Sequence, residues 1–524
     1  METMRSIFLR LTATVIAGAS ALAALAAPFT PGNIVVTRRC DGVVALSSVA
    51  TAVFLDEYTP TGTLVQSIAM PTAVSGANKR FTNSGSATSE GYLRKSVDGR
   101  YLTLMGYDAD LATLAIAGTT SATVARVVAL VDWNGNINTS TALADAYSAG
   151  NPRAAVTTDG SQFWTSGTGT GTGAAATGGS RWCMFGAVAS VLLSENVTNL
   201  RGIVIYNNQL YISSGSGTFK GVSTVGSPPP PSTTLNTTAL LTGFDPLAAS
   251  TQSIYDFWFK DANTLYVADD RTTVNGGGLQ KWTLTAGTWS RIDTFTGGLP
   301  GSGGVRGLIA RLNGSGQPEL FVITAGAPIQ IMKLVDDGSG SGSLSFTSIA
   351  TVATNTAFRG IAFAPQNSGP VNVPPTSLDI SPGTLVSGGI AEVTTSDNSR
   401  LHAKVNPASE ETGYTVQMNI EATSAVASPS SFQFTLETVV EVDGISQYIE
   451  LFDWINSNWV RISDVNASSS GDTSVTASAS GTLSRFVRTG DMRVRARIGW
   501  EATAAEVDIA WFVKVDQAIW KIGG

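Results

Sequence analysis

The chain has 524 residues, a net charge of −7, one histidine and two cysteines. One histidine excludes a multi-histidine zinc, copper or iron site, and two cysteines exclude an iron–sulfur cluster or a disulfide framework. The acidic balance, with no long basic stretch, argues against a nucleic-acid partner. Hydrophobic residues make up 43% of the chain, enough for a core, while only 14% of residues are charged.

The first 27 residues predict an export signal peptide. Arg5 and Arg10 give a basic start, Leu11 to Leu25 form an apolar run, and Ala24-Leu25-Ala26 offers a small-residue cleavage site. The run is shorter than the roughly 18 residues that a membrane-spanning helix needs, and no later segment is long and apolar enough to cross a membrane. We therefore expect a secreted, extracytoplasmic chain with no membrane span after cleavage.

Short alternating apolar runs bounded by Gly, Asn, Asp and Pro predict an all-β protein. One unit recurs: a pair such as Arg-Gly, a strand, a polar turn and a second strand, most clearly from Leu200 to Ser214. Equivalent positions are 48 to 54 residues apart, which is about the length of a four-stranded propeller blade. These positions are Arg153, Arg201, Tyr255, Arg306 and Arg359.

The two ends of the repeat region predict how the ring closes. The copy at Phe358 stops after one strand, near Pro365, while the segment from Asn33 to Thr72 supplies three strands without an opening strand. Together they make one full blade, which removes the free edges of the ring. The prediction is a six-bladed β-propeller, and the length of the segment 91–151 leaves a seventh blade open.

The last part of the chain loses this repeat. Prolines mark a linker, and from Met492 to Trp500 apolar residues alternate strictly with arginines. Such strands over about 145 residues suggest a β-sandwich of the Ig-like or jelly-roll type. The expected boundaries are a signal peptide at 1–27, the propeller at 28–366, the linker at 367–377 and the sandwich at 378–524.

Short motifs add a resemblance to known modules. Ser89-Glu-Gly, Asp98-Gly-Arg-Tyr-Leu, Tyr266-Val-Ala-Asp-Asp and the segment 357–365 resemble uncharacterised propeller modules of secreted bacterial proteins. The tail is similar to a C-terminal module of other secreted bacterial proteins through the segments 448–452, 484–487, 493–497 and 515–520. The resemblance implies the same architecture and compartment, and it brings no established activity.

The repeat predicts a candidate site at one mouth of the propeller channel, because the innermost strands of all blades begin on the same face. Four guanidiniums there would focus a positive field on a carboxylate, a phosphate or an acidic sugar. In the preferred alternative, the arginines brace neighbouring blades through backbone carbonyls and aspartates. The ring comprises Glu90, Arg153, Arg201, Tyr255, Arg306 and Arg359, with Asp269 and Asp270 nearby.

Other chemistry is only weakly indicated. His402 lies in a polar stretch, and no serine nucleophile motif accompanies it, so a Ser-His-Asp triad is not expected. No cofactor is expected, although Asp269-Asp270 or Asp336-Asp337 could donate oxygens to calcium.

Two further pairs of residues lead to structural expectations. Trp454 and Trp459 flank a tight turn, where they could stack on sugar rings or fold back over the sandwich core. Cys40 and Cys183 fall in non-adjacent blades, so both are predicted to be unpaired.

Two functions remain open at this stage, and a third interpretation, structural presentation of the tail in a larger envelope assembly, shares all the features of the first. The first is a secreted, non-catalytic binding or cell-surface protein, whose partners would be a glycan or small anion at the arginine-lined mouth and an envelope or extracellular component. The second is a secreted propeller hydrolase or lyase acting on a phosphate ester or acidic polysaccharide, with Glu90 as the candidate catalytic carboxylate. An enzyme needs a water-accessible carboxylate within reach of the arginines, whereas braces have protein partners for each arginine.

Overall fold

The structure is a computed structural model that describes residues 26–244, 252–367, 369–405, 415–424, 426, 429, 431–502 and 510–523. The export signal up to Leu25 lies outside the described residues. Within them there is no α-helix, and no helix is long and apolar enough to cross a membrane. Six 3₁₀ turns occur at Ile116–Gly118, Gly173–Ala175, Gly217–Phe219, Thr273–Asn275, Ala391–Val393 and Leu483–Phe486.

Six four-stranded antiparallel sheets form the blades of the propeller, and their first strands contact one another around the axis. The second blade is β6 (Arg94–Lys95), β7 (Tyr101–Tyr107), β8 (Arg126–Asp132) and β9 (Ile137–Leu143), and the third is β10 (Pro152–Val156), β11 (Gln162–Gly167), β12 (Gly179–Met184) and β13 (Val191–Leu192). The fourth is β14 (Ile203–Tyr206), β15 (Gln209–Ser214), β16 (Gly221–Val225) and β17 (Thr238–Leu240). The fifth is β18 (Ile254–Asp261), β19 (Thr264–Asp269), β20 (Gly278–Thr285) and β21 (Thr288–Phe295), and the sixth is β22 (Val305–Leu312), β23 (Pro318–Thr324), β24 (Gln330–Val335) and β25 (Thr347–Thr351).

The first blade joins the two ends of the propeller, as the sequence predicts. β26 (Ala357–Phe363) is its innermost strand and pairs with β1 (Ile34–Arg39), which is followed by β3 (Val53–Tyr58) and β4 (Leu64–Ala69). Because this exchange pairs strands from both chain ends, it closes the ring. Two short strands, β2 (Ala50–Thr51) and β5 (Asn83–Ser84), form a separate two-stranded sheet.

Residues that tolerate positive φ form the tight hairpins of the blades. Asn207 and Asn208, with φ of 45° and 60°, connect β14 to β15, and Asn is one of the few residues that adopt this conformation readily. Gly287, with φ of 79°, performs the same function between β20 and β21. Both hairpins therefore turn on residues that adopt positive φ at low cost.

The segment 91–151 contains a single blade, so the described residues of 26–367 hold six blades and no seventh. Its extra length lies in the connection between β7 and β8. Ile116 in that connection is buried against Ala50, Tyr107 and Ala109. A packed loop, which has no strand periodicity, accounts for the length.

The C-terminal part is a β-sandwich of two sheets. Val494, Ala496, Ile498 and Trp500 are all buried in its core, which confirms the predicted alternation. One sheet has the order β29 (Thr384–Ser387), β30 (Leu401–Lys404), β37 (Phe512–Gly523), β32 (Ser431–Val440), β35 (Thr473–Ser478), with β27 (Val371–Val373) also paired to β37. The other has the order β28 (Ser377–Ile380), β31 (Thr415–Thr423), β36 (Arg493–Ala502), β33 (Ile445–Asp453), β34 (Asn458–Asn466).

The predicted linker, 367–377, includes β27 and the first residue of β28, so part of it belongs to the sandwich sheets. Cys40 and Cys183 are buried free thiols, as predicted. They lie after β1 in the first blade and on β12 in the third. Burial raises the pKa of Cys183 to about 12.

Candidate functional site

The predicted ring residues converge around Tyr255, at the start of β18. The Arg201 guanidinium carbon lies 3.9 Å from the centroid of the Tyr255 ring, and that of Arg306 lies 5.5 Å from it. The Tyr92 ring stacks on Tyr255 with 6.4 Å between centroids. Tyr255 is only 4% exposed, so its ring packs against the two guanidiniums and offers little surface to a ligand.

The arginines brace successive blades by a repeated contact. Arg153 Nη1 donates to the carbonyl of Leu200 at 2.8 Å, and Arg201 Nη1 donates to the carbonyl of Ile254 at 3.1 Å. Leu200 and Ile254 each directly precede the ring residue of the next blade. The bracing function considered from the sequence is therefore present at both positions.

Bracing leaves part of each guanidinium unused, because an arginine has five N–H donors. In the described part of the chain, Arg201 donates only through Nη1, and Arg306 and Arg359 donate only through Nε and Nη1. The Arg306 bonds are long, at 3.4 Å each. The Arg201 and Arg306 side chains are 18% and 20% exposed. They can therefore donate further hydrogen bonds to a ligand.

Positive charge exceeds negative charge at this mouth. Asp270 lies 4.0 Å from Arg201 Nη1 and 3.4 Å from Arg306 Nε, and its side chain is 16% exposed. Among the described residues neither Arg153 nor Arg359 forms an ion pair. Burial, followed by repulsion from other arginines including Arg306, lowers the pKa of Arg359 to about 9. An anion placed here would relieve this repulsion.

Glu90 is buried and surrounded by protein hydrogen-bond donors. It is 1% exposed and accepts hydrogen bonds from the Tyr107 hydroxyl at 2.7 Å and the Ser84 backbone N–H at 3.0 Å. The Asn151 amide also donates to it, and Arg39 forms an ion pair at 3.5 Å. The water-accessible carboxylate expected of the enzyme hypothesis is therefore not found at Glu90.

The two aspartate pairs considered for calcium already have protein partners. Asp269 is fully buried and accepts hydrogen bonds from Arg271 at 2.8 Å and Gln280 at 3.1 Å. Asp336 accepts hydrogen bonds from Lys281 at 2.7 Å and Tyr266 at 2.5 Å. These contacts use the oxygens that a cation would need.

One other acidic group of the described residues is compact enough to share an ion. Carboxylate oxygens of Glu437, Asp472 and Asp516 lie within 4.8 Å of one another in the sandwich. Arg400 pairs with Asp472, and Asp516 accepts backbone N–H groups at 3.2 and 3.4 Å. Arg400 neutralises one of the three carboxylates, and we assign no metal to this group.

An ion pair on the channel axis was not predicted from the sequence. Arg94 donates two hydrogen bonds to Asp256, at 3.0 and 2.5 Å, and a third to the Ile203 carbonyl at 3.0 Å. Asp256 follows the ring residue Tyr255. Arg94 follows Glu90-Gly91, a copy of the repeat that lacks the Arg-Gly pair, so the repeat did not predict a role for Arg94. The pair closes the axis below the arginine ring.

The tryptophans of the tail lie on the outer face of the five-stranded sheet. Phe452 contacts both Trp454 and Trp459 edge-on, with centroids 4.8 and 5.1 Å away. The Arg497 guanidinium covers Trp459 at 4.4 Å. Neither tryptophan belongs to the buried core cluster, so they do not fold back over the core as one alternative proposed.

The sheets and the mouth define the class of the protein as a six-bladed β-propeller with an arginine-lined axial mouth, followed by a β-sandwich. No protein-family profile matches the chain, and no curated protein matches it.

Solved structures give only faint likenesses. An exo-β-1,3-galactanase from Phanerochaete chrysosporium with β-1,3-galactotriose is 12% identical, covers 86% of this chain and 99% of its own, and has a TM-score of 0.30. The CBM29-2 carbohydrate-binding module with cellulohexaose is 8% identical, covers 29% of this chain and 80% of its own, and has a TM-score of 0.17. A structure described as "CBM4 structure and function" is 15% identical, with coverage of 24% and 87% and a TM-score of 0.18. Likenesses this weak carry no argument about function.

Proposed function

We propose that this is a secreted, non-catalytic binding protein whose propeller mouth holds the anionic group of an extracellular ligand, an acidic glycan. The observation that carries the proposal is the convergence of four arginines of the ring on one mouth where, among the described residues, Asp270 is the one acidic residue that forms an ion pair with any of them. Guanidiniums bind carboxylate and sulfate groups through paired hydrogen bonds, and a concave positive surface raises the local concentration of anions.

The burial of Glu90 supports binding over catalysis. A hydrolase or lyase needs a carboxylate that reaches both water and substrate, and Glu90 is buried, with 1% of its surface exposed. Asp270 lies closer to the mouth, but it already neutralises part of the charge of Arg201 and Arg306. The arrangement is that of a fixed positive surface for a ligand.

The test is calorimetric titration of the mature protein with oligogalacturonate and with its methyl ester, which lacks the charge. Arg306→Gln is the main variant, because Arg306 has the weakest bracing contacts of the four arginines. Arg291→Gln, on the exposed surface of β21, is the matched control. We expect binding of the acid, a loss of about tenfold in Arg306→Gln and no change in Arg291→Gln.

Two outcomes would contradict the proposal. Equal affinity for the acid and its methyl ester would show that charge is not recognised. An unchanged affinity in Arg306→Gln, with an unchanged unfolding temperature, would leave the arginines as braces alone.

A further inference from the structure

The axial channel has a second, apolar opening on the side away from the arginine ring. A cavity of about 170 Å³ lies there, between the innermost strands of five blades. Its lining residues follow the ring residues along the same strands, so they lie at the opposite end of the channel. Each of these blades contributes to the lining, through side chains that include Lys95, Val204, Trp258, Ile309 and Phe363.

Arg94, which is paired with Asp256, forms the floor of this cavity. All three guanidinium nitrogens of Arg94 donate hydrogen bonds, to Asp256 or to the Ile203 carbonyl. Asp256 also accepts the backbone N–H of Leu308 at 3.2 Å. Since both charges are satisfied, the floor is polar but neutral, and it separates the cavity from the arginine ring.

Lys95 is the one cation of this lining that lacks a counter-ion. It is half-buried at the end of β6, and in the described part of the chain its ammonium has neither a hydrogen bond nor an ion pair. The nearby Asp98 is already engaged by Arg100 at 2.7 Å and by Ser96 at 2.6 Å. Burial lowers the pKa of Lys95, and the smaller opposing effect of the Asp98 charge does not offset it.

The walls of the cavity suit a ring. Val204, Ile309 and Phe363 are partly exposed apolar side chains, and the Trp258 indole adds a flat surface. A cavity of about 150 Å³ with walls of this kind accommodates benzene. The volume here therefore admits one small aromatic ring with one substituent.

We propose that this cavity binds a small aromatic carboxylic acid, with its ring between Trp258, Ile309 and Phe363 and its carboxylate on the Lys95 ammonium. A neutral ring would fill the space and leave Lys95 without a partner. An aromatic amine would be repelled by it. The site is independent of the arginine mouth and does not rest on the proposed glycan.

The test uses 4-fluorobenzoate followed by ¹⁹F NMR on the mature protein, with unlabelled benzoate, benzyl alcohol and benzylamine as competitors. Lys95→Met removes the charge and keeps the side-chain stem. Its matched control is Lys260→Met, a lysine near the end of β18 that pairs with Asp261 at 3.9 Å. Ile309→Trp fills the cavity, and Arg306→Gln tests independence from the arginine mouth.

We expect benzoate to displace the probe at least tenfold better than benzyl alcohol does, and benzylamine to displace it least. Lys95→Met should weaken probe binding at least tenfold, and Ile309→Trp should abolish it, while the control and Arg306→Gln stay within about twofold. Failure to bind at about 10 mM probe, equal competition by the alcohol, or undiminished binding in Lys95→Met would each overturn the proposal. If Ile309→Trp does not fold, Lys95→Met and the competitor series decide the question.

Discussion

Replacing Asp270 by asparagine should increase the affinity of the arginine mouth for anions. Asp270 is the internal counter-ion of Arg201 and Arg306, at 4.0 and 3.4 Å, so it competes with any external carboxylate for the same guanidiniums. Asp270→Asn keeps the size of the side chain and removes its charge. A ligand would then meet the two arginines without competition from the Asp270 carboxylate.

The size of the gain follows from Coulomb's law. An anion bound to both guanidiniums would lie about 5 Å from Asp270, where two unit charges repel by about 0.8 kcal/mol in water and about 3 kcal/mol at an effective dielectric constant of about 20. The Asp270 side chain is 16% exposed, which places the site between these limits. We expect a gain of about 1–2 kcal/mol, or roughly 5- to 30-fold in affinity.

The assay is calorimetric titration with oligogalacturonate at low salt and again at about 0.15 M salt, where screening should reduce the gain. Asp337→Asn, which removes an equal charge from an exposed aspartate in the sixth blade, is the control and should change affinity little. If the affinity is unchanged or reduced in Asp270→Asn while the fold is intact, the mouth does not select anions.

Three further predictions concern buried groups. Glu90→Gln leaves the buried Arg39 without its ion-pair partner and should destabilise the propeller by about 3–5 kcal/mol in calorimetric unfolding; a loss below about 1 kcal/mol would contradict this. Cys183, whose pKa burial raises to about 12, should resist iodoacetamide at about pH 8 until the protein is unfolded, as peptide mapping can establish. Burial alone would raise the pKa of Asp336, but hydrogen bonds led by that of Lys281 lower it below its ordinary value. Its stabilising contribution is therefore present above about pH 4 and lost as the pH falls through the folded pKa, so Asp336→Asn should flatten the acid branch of urea-unfolding stability, and an unchanged branch would argue against it.

The spacing of the repeat predicted the convergence of the ring residues, because equivalent positions in successive blades must face the same mouth. Arg153 and Arg201 even make equivalent contacts, each to the carbonyl before the next ring residue. The same logic could not predict that Glu90 is sealed. Its partner Arg39 lies on β1 in the blade that closes the ring, 51 residues earlier in the chain.

The sequence also could not predict the direction in which individual side chains of the site point. Asp269 and Asp270 are adjacent, yet one is fully buried under Arg271 and the other lies between two ring arginines. Successive residues at the end of a strand point to opposite sides, but which side faces the axis depends on the packing of neighbouring blades. The tryptophan pair of the tail shows the same dependence, since the arginines that cover the rings lie on a strand far away in sequence.

The sequence alone predicts an all-β propeller that is closed by its two ends and followed by a sandwich. The features that predict it are the low charge, the high glycine content, the periodicity of the strands and the spacing of the repeat. These are local properties: alternation, turn residues and repeat length act within about 50 residues of chain. The three-dimensional packing determines which ring residues are braces and which carboxylates are neutralised. It also places Lys95, which has no counter-ion among the described residues, beside an apolar cavity. The physical reason is that burial and pairing depend on groups contributed by different blades, and such contacts leave no period in the sequence.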